Sequence, residues 1–229
     1  MLDLLHAAAR GAFPPEDGRT EVVAAVAGAP AAVLSFTAHH VVAADVPADE
    51  VHAHVDPGDL KGPLAPGVLA WLAEPTGLVA GSLDVVLAWV PERTGSDALA
   101  VRAVSRDDHP RVDRARRWRR ELRVFEDEGG RGMVLLGRGL ADRLELSVEV
   151  APELRDRGLA RRLVAGALSA AAPDEPVFAQ VAAANAASLR RSGRPGSWRS
   201  APRCCTGRLR ISFGGRGMGW LRRALELRH

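Results

Sequence analysis

The sequence predicts an α/β chain, and three patterns predict it. Leu144, Leu146, Val148 and Val150 recur at the two-residue period of a strand. Leu159, Leu163, Val164, Ala167 and Leu168 then follow the period of a helix, and residues 177–181 (VFAQV) return to a strand. Upstream, two apolar stretches flank the acidic, glycine-rich turn at residues 127–132, which is a hairpin signal.

In chain order, residues 1–10 read as a helix and residues 22–26 and 32–46 as strands. Short helices follow at 49–55 and 66–73, separated by the turn-rich DPGDLKGPLAPG, and an apolar strand at 83–90. PERTGSDA (91–98) joins this front half to the rest and predicts a boundary near residue 95. Beyond it come a short strand at 101–104 and a helix opened by Asp107, Asp108 and Pro110, running to Arg120 with six arginines. Strands at 122–126, 133–140 and 144–150, a helix from 159 and a strand at 177–181 complete the pattern. The expected division is residues 1–95, an α/β accessory half; 96–190, a core; and 191–229, a basic irregular tail.

The junction VAPELRDRGLARRL (150–163) carries the chemistry. A strand hands over to a helix at Gly158, where first-turn N–H groups lack intrahelical partners and the helix dipole is positive, so the loop suits a pyrophosphate. Glycine permits close approach, and Arg155, Arg157, Arg161 and Arg162 offer charge-assisted contacts to phosphate oxygens. The plainer alternative is a βαβ unit in which Gly158 only turns the chain.

Arg155-x-x-Gly158-x-Ala160 resembles the acyl-CoA-binding signature of the GNAT family of N-acetyltransferases, and Asn185-x-x-Ser188 after the next strand is similar to that family's following motif. The resemblance implies a mixed, mostly antiparallel sheet flanked by helices, an acetyl-CoA cosubstrate and transfer of its acetyl group to a primary amine of a small molecule or peptide. It implies a phosphate loop of Arg155, Asp156, Arg157, Gly158, Leu159, Ala160 and Arg161, with the backbone of Val148 and Val150 and the Asn185 segment along the pantetheine arm. It also implies that the strand before the loop splays from its neighbour, holding the thioester. Attack requires a neutral amine, so a carboxylate near the splay serves as base. Glu149 and Glu145 share the polar face of strand 144–150, with Glu149 nearer the loop; the alternative is a solvated strand face. The family's usual proton donor to the thiolate is a tyrosine. This chain has none, leaving water, Ser188, a group from a C-terminus read in another frame, or an inactive chain.

Composition narrows the other classes. The chain of 229 residues has a net charge of +3 and 47% hydrophobic residues, with no apolar run long enough to span a bilayer. Its acidic start lacks a leader's basic region, which predicts a cytoplasmic protein without membrane partners. The adjacent Cys204 and Cys205 suit neither a disulfide framework nor a zinc site. His39, His40, His52 and His54 complete no recognised ligand spacing, so no metal is expected and the four read as surface or partly buried histidines. Thirty arginines stand against the single Lys61, a mark of GC-rich coding.

From Arg190 to His229 there are eleven arginines and one acid, Glu226, giving +10 and leaving 3 − 10 = −7 for the remainder. A nucleic-acid arm is disfavoured by the mixture of Trp, Cys, Gly and Pro there, while homo-oligomer formation stays open. The tail also reads as a frameshift: with common codons regrouped by one base, residues 191–206 become AVRPAGFVAVGSEVLY, similar to the family's ending. Loss of that ending predicts an unpaired edge on strand 177–181 and a chain less stable than a frame-restored one.

Overall fold

The computed structural model describes residues 1–25, 31–76, 78–90, 98–155, 157–169, 175–185, 188 and 207–215. Along the chain the elements are α1 (Leu2–Ala9), β1 (Thr20–Val23), β2 (Ala32–Phe36), β3 (His39–Ala43), α2 (Ala48–Ala53), α3 (Pro66–Thr76), β4 (Leu78–Trp89) and β5 (Val101–Val104). They continue with α4 (Pro110–Arg116), β6 (Arg120–Asp127), β7 (Gly132–Arg138), β8 (Leu144–Val150), α5 (Leu159–Leu168), β9 (Val177–Ala182) and β10 (Gly207–Gly215). The fold is α/β, with strands of mixed but mostly antiparallel orientation flanked by helices.

The chain divides into two compact units, and not at residue 95. One comprises Met1–Pro15 and Asp84–Leu209, the other Glu16–Leu83 and Arg210–His229. The first recruits α1 and the latter half of β4 because both carry apolar surface that its sheet covers: Leu5, Ala8 and Ala9 of α1 and Val86, Leu87 and Ala88 of β4 are buried. Its strand order is β4-β9-β8-β7-β6-β5, antiparallel except for the parallel β8–β9 pair.

Each face of this sheet holds a helix. Leu144, Leu146 and Val150 of β8 pack with Leu159, Leu163, Val164 and Ala167 of α5. Val112 and Ala115 of α4 pack with Val124, Met133 and Leu135 on the alternate positions of β6 and β7, hence on the opposite face. α4 stops at Arg116, short of the expected Arg120. The Trp118 and Arg119 N–H groups both close on the Ala115 carbonyl, at 3.0 and 2.8 Å, and Arg120 already pairs with Arg138 as β6 begins. A register shift between Arg120 and Arg123, with Glu121 at φ 51, absorbs the change of direction.

The expected unpaired edge on strand 177–181 is overturned: Asp84–Trp89 of β4 pair antiparallel with all of β9, from Asp84 opposite Ala182 to Trp89 opposite Val177. The front half supplies the strand that the tail was expected to lack.

In the other unit, the single strand expected over 32–46 is a hairpin, β2 and β3 turning at Thr37 and Ala38, with Ala38 in the left-handed region. Valines on both sides of the turn, with no glycine or asparagine in it, conceal it from a reading by periodicity. β1 runs parallel to β3, and Val33, Val42, Val51, Leu69 and Leu72 form the core. Gly207–Gly215 form β10, antiparallel to β2 through Arg210 opposite Leu34, so the expected irregular tail contains a strand. The structure gives no support to reading this segment in another frame; residues 191–206, with both cysteines, and 216–229 lie outside the described residues.

Candidate functional site

β8 stands at the centre of the first unit's chemistry because its two walls diverge. It pairs with β7 along its full length, from Leu144 opposite Arg138 to Val150 opposite Gly132. With β9 it is in register only over Leu144–Val177, Glu145–Phe178 and Leu146–Ala179. From Ser147 onward β8 has no registered partner on that side among the described residues, while β9 remains paired to β4 through Ala182.

Backbone alternation decides which groups face the opening. The Ala151 N–H donates to the Arg131 carbonyl at 3.0 Å, so Ala151 and, two residues back, Glu149 direct their backbone groups at β7. Val148 and Val150 therefore direct theirs away from β7, toward the opening. The Val150 carbonyl accepts a long hydrogen bond from Arg155 Nε, 3.4 Å.

The loop continues from this edge into α5. Gly158 is the residue before the helix, at φ 75 and ψ 2, a left-handed conformation that a side chain would strain. A Cβ there would meet nothing within 4 Å, so the space before the helix is open. Among the described residues no side chain caps the helix, and Arg162 N–H bonds the Gly158 carbonyl at 3.3 Å, so the N–H groups of Leu159 and Ala160 at its start have no acceptor within the helix. Arg157 is exposed beside this end; Asp156 lies outside the described residues.

On the far wall, the Asn185 N–H donates to the Ala182 carbonyl at 2.8 Å, turning the chain after β9. The Asn185 side-chain oxygen accepts from the Ser188 N–H at 3.1 Å, the i to i+3 bond of a helix N-cap. Because β8 and β9 run parallel, the Asn185–Ser188 turn and the Glu149–Gly158 segment lie at the same end of the sheet.

The polar row of β8 lies on the α4 face, and arginines meet every member of it. Glu149 is ion-paired to Arg111 Nε, with both side chains a little over one third exposed. Burial works against the charge on Glu149, but the hydrogen bond and charge of Arg111, with His109 and Arg155 nearby, hold its carboxyl below the usual value. Ser147 Oγ accepts from Arg119 Nη1 at 3.1 Å. Glu145, 4% exposed, takes Arg119 Nε at 3.3 Å, Arg143 Nε at 2.8 Å, the Gln180 amide at 3.1 Å and, more weakly, the Leu140 N–H at 3.4 Å. Arg143 is wholly buried, its guanidinium 5.1 Å from the Phe178 ring centroid. Its Nη2 lies 2.8 Å from Glu145 but off the hydrogen-bond line, and Nη1 has no hydrogen-bond partner among the described residues.

Glu145 and Glu149 thus share a face, as the strand period implied, but in different settings. Glu145 is enclosed at the vertex where β8 and β9 part, and Gln180 ties it across the last paired positions. Glu149 stands on the open half. The sequence reading missed Arg111, Arg119, Arg143 and Gln180 as site residues. The available signal was complementarity: two glutamates on one strand face need cations, and the run from Arg111 to Arg120 supplies them.

The four histidines do not converge. His39 Nδ1 meets Asp17 at 3.0 Å, His52 Nε2 the Thr20 carbonyl at 2.9 Å, and His54 stacks on Trp71 with centroids 3.9 Å apart. His39 and His40 are both buried, His40 fully, which corrects the surface or partly buried reading for these two residues. No group of three or more His, Cys, Asp or Glu able to hold a metal occurs among the described residues. No helix among them is long and apolar enough to cross a membrane.

No family model matches this chain, and no curated protein does. Among solved structures it is similar to a GCN5-related N-acetyltransferase from Kribbella flavida, at 14% identity and a TM-score of 0.35, over 66% of this chain. The match covers 65% of that protein, a little under two thirds of its length. A likeness of this extent defines no family membership.

Proposed function

We propose that the chain is an N-acetyltransferase of the GNAT type, moving an acetyl group from acetyl-CoA to a primary amine. The observation that carries this reading is the continuity of two features in one segment: the Val148–Val150 edge of β8, which has no strand partner on the β9 side among the described residues, leads through a short loop to the glycine-led start of α5. An open strand edge accepts an extended amide-bearing arm, and a helix N-terminus accepts phosphate, so the pair suits a pantetheine diphosphate. The open space beyond Gly158, with Arg155, Arg157 and Arg161 in the loop and first turn, fits that group.

Bound acetyl-CoA supplies an activated acyl carbon: the ammonium first gives one proton to water, the neutral nitrogen then bonds to that carbon as the carbon–sulfur bond breaks, and a second proton leaves the nitrogen while one reaches the thiolate. Of the two carboxylates on β8, Glu149 is the one on the open half. Its depressed pKa makes it a weak base but a good anchor for an ammonium group, with water carrying the proton onward. Ser188, on the other wall, is the side-chain hydroxyl we assign to thiolate protonation in a chain without tyrosine. Glu145, surrounded by guanidiniums, is placed to hold the vertex rather than to exchange protons with a substrate.

A second reading is a non-catalytic acyl-CoA-binding protein, favoured by the engagement of both glutamates with arginine and by the missing tyrosine. Titration calorimetry with acetyl-CoA, using Gly158→Trp as the blocked control, tests the shared part. Binding that the control abolishes supports both readings, and release of free CoA on adding amines selects the first. Absence of binding by the folded chain overturns both.

A further inference from the structure

The geometry points to an acceptor that carries an acid group beside its amine, an α-amino carboxylate, recognised by opening the Arg111–Glu149 ion pair. The inference rests on the acyl-transfer reading for the fate of the amine, though the binding step stands apart from it.

The α4 face of β8 is overstocked with positive charge. Three guanidiniums, Arg111, Arg119 and Arg143, meet two carboxylates, Glu145 and Glu149, among the described residues. Arg119 and Arg143 share Glu145, and Arg119 is only 12% exposed. Burial presses against the charge on Arg119; Glu145 supports it, while Arg143 and Arg111 oppose it, so the three cations lie within electrostatic reach of one another. A surplus of positive charge is costly, so a ligand that takes a carboxylate from this cluster must return one.

The surplus adjoins the open half of β8. Ser147, its first residue, accepts from Arg119, and its hydroxyl retains a hydrogen to donate. Two residues on, the Arg111–Glu149 pair is half-exposed, built from long side chains that can swing apart. An incoming amine alone would take Glu149 from Arg111 and leave a third guanidinium without an acid. A zwitterion keeps Arg111 paired and leaves the net charge of the cluster unchanged: its ammonium replaces Arg111 at Glu149, and its carboxylate takes Arg111, with Ser147 and Arg119 behind. A contact ion pair is matched by a ligand whose own opposite charges sit on one carbon. This arrangement also sets the amine, held at Glu149, beside the unpaired edge where the acyl group is expected.

Ligand-observed NMR of the full chain tests this with two pools: the twenty standard amino acids, and the matching amino acid amides, which keep the amine and side chain but lose the carboxylate charge. The expected result is binding of at least one free amino acid, weakened about tenfold or more as its amide. The same loss is expected for the free acid with Arg111→Gln, whose fold is checked by circular dichroism, and with Glu149→Gln. No binding from the amino acid pool, or equal binding of acid and amide, overturns the inference. Acetyl-CoA is titrated separately, so a chain that binds acetyl-CoA but fails this test retains the acyl-transfer reading. A chain that passes while failing to bind acetyl-CoA loses that reading and keeps the zwitterion site.

Discussion

Gly166→Ala probes the contact that fixes α5 against the sheet and so aims its N-terminus. Gly166 lies in the last turn of α5, where alanine ordinarily stabilises by up to about 1 kcal/mol. Here an added Cβ would fall well inside contact distance of the Leu99 carbonyl oxygen and 3.1 Å from Val101 Cγ1. An ordinary carbon–oxygen contact is about 3.3 Å, so the helix or the Leu99 strand lead-in must retreat by roughly an ångström. That movement strains the packing of Leu163, Val164 and Ala167, at about 1–3 kcal/mol for an overfilled core. It also pulls on the Leu99 N–H to Arg162 carbonyl bond, 3.0 Å long and worth about 1 kcal/mol. After the propensity gain, the net loss is about 2 kcal/mol, equivalent to roughly thirtyfold faster hydrogen exchange at the Leu99 amide. Mass-resolved exchange over residues 98–101 and α5 reads this directly. Gly158→Ala is the control, since it strains a left-handed residue by about 1 kcal/mol without touching Leu99. Unchanged Leu99 protection in Gly166→Ala, or a rise in stability, would refute the reasoning.

Three further outcomes are expected. Glu145→Gln leaves Arg143 and Arg119 buried without their shared carboxylate and should cost about 3–5 kcal/mol in urea unfolding; a shift below about 1 kcal/mol would show that the vertex is not held electrostatically. The depressed pKa of Glu149 means that its pairing with Arg111 contributes fully above about pH 4.5 and fades as the pH falls through the lower folded value. At 38% side-chain exposure that contribution is screened to about half a kcal/mol, and Arg111→Gln should remove it at neutral pH and leave acid stability unchanged. In the other unit, burial and then the charge of His39 lower the pKa of His40, against the weaker opposing effects of the Leu60 backbone and of Asp59; neither ring nitrogen has a hydrogen-bond partner among the described residues. Stability there is complete above about pH 6.5 and declines as the pH falls through the folded value. Exchange protection of β2 and β3 should drop between about pH 7 and 5 and hold steady in His40→Phe, and identical profiles for the two chains would count against a buried neutral imidazole.

Local patterns carried far in this chain, and long-range pairing did not. β5 and β8 stand where periodicity placed them, and α5 starts immediately after Gly158, because a strand of alternating Leu and Val and a helix with one apolar face each declare themselves within a dozen residues. β4 was legible as a strand but not as the partner of β9, since nothing in LVAGSLDVVLAW names its neighbour. The glycine-led junction between β8 and α5 was legible for the same local reason. The cage around Glu145 was not, because Arg119, Arg143 and Gln180 come from three separate elements and meet only through the sheet's pleat. α4 ended early for a local reason that propensity hides: Trp118 and Arg119 close a tight turn while arginine by itself favours continuing a helix.

The divergence of β8 and β9 carries a consequence for the order of assembly. β6, β7, β8 and α5 form from contacts close in sequence and can collapse early. The far wall comes last, because β9 is held open by β4, and Asp84 must find Ala182 across about a hundred intervening residues. A chain emerging from synthesis therefore completes the junction of β8 and α5 before the wall facing it is in place, and a fragment beginning at residue 98 would lack the strand that pairs with that wall.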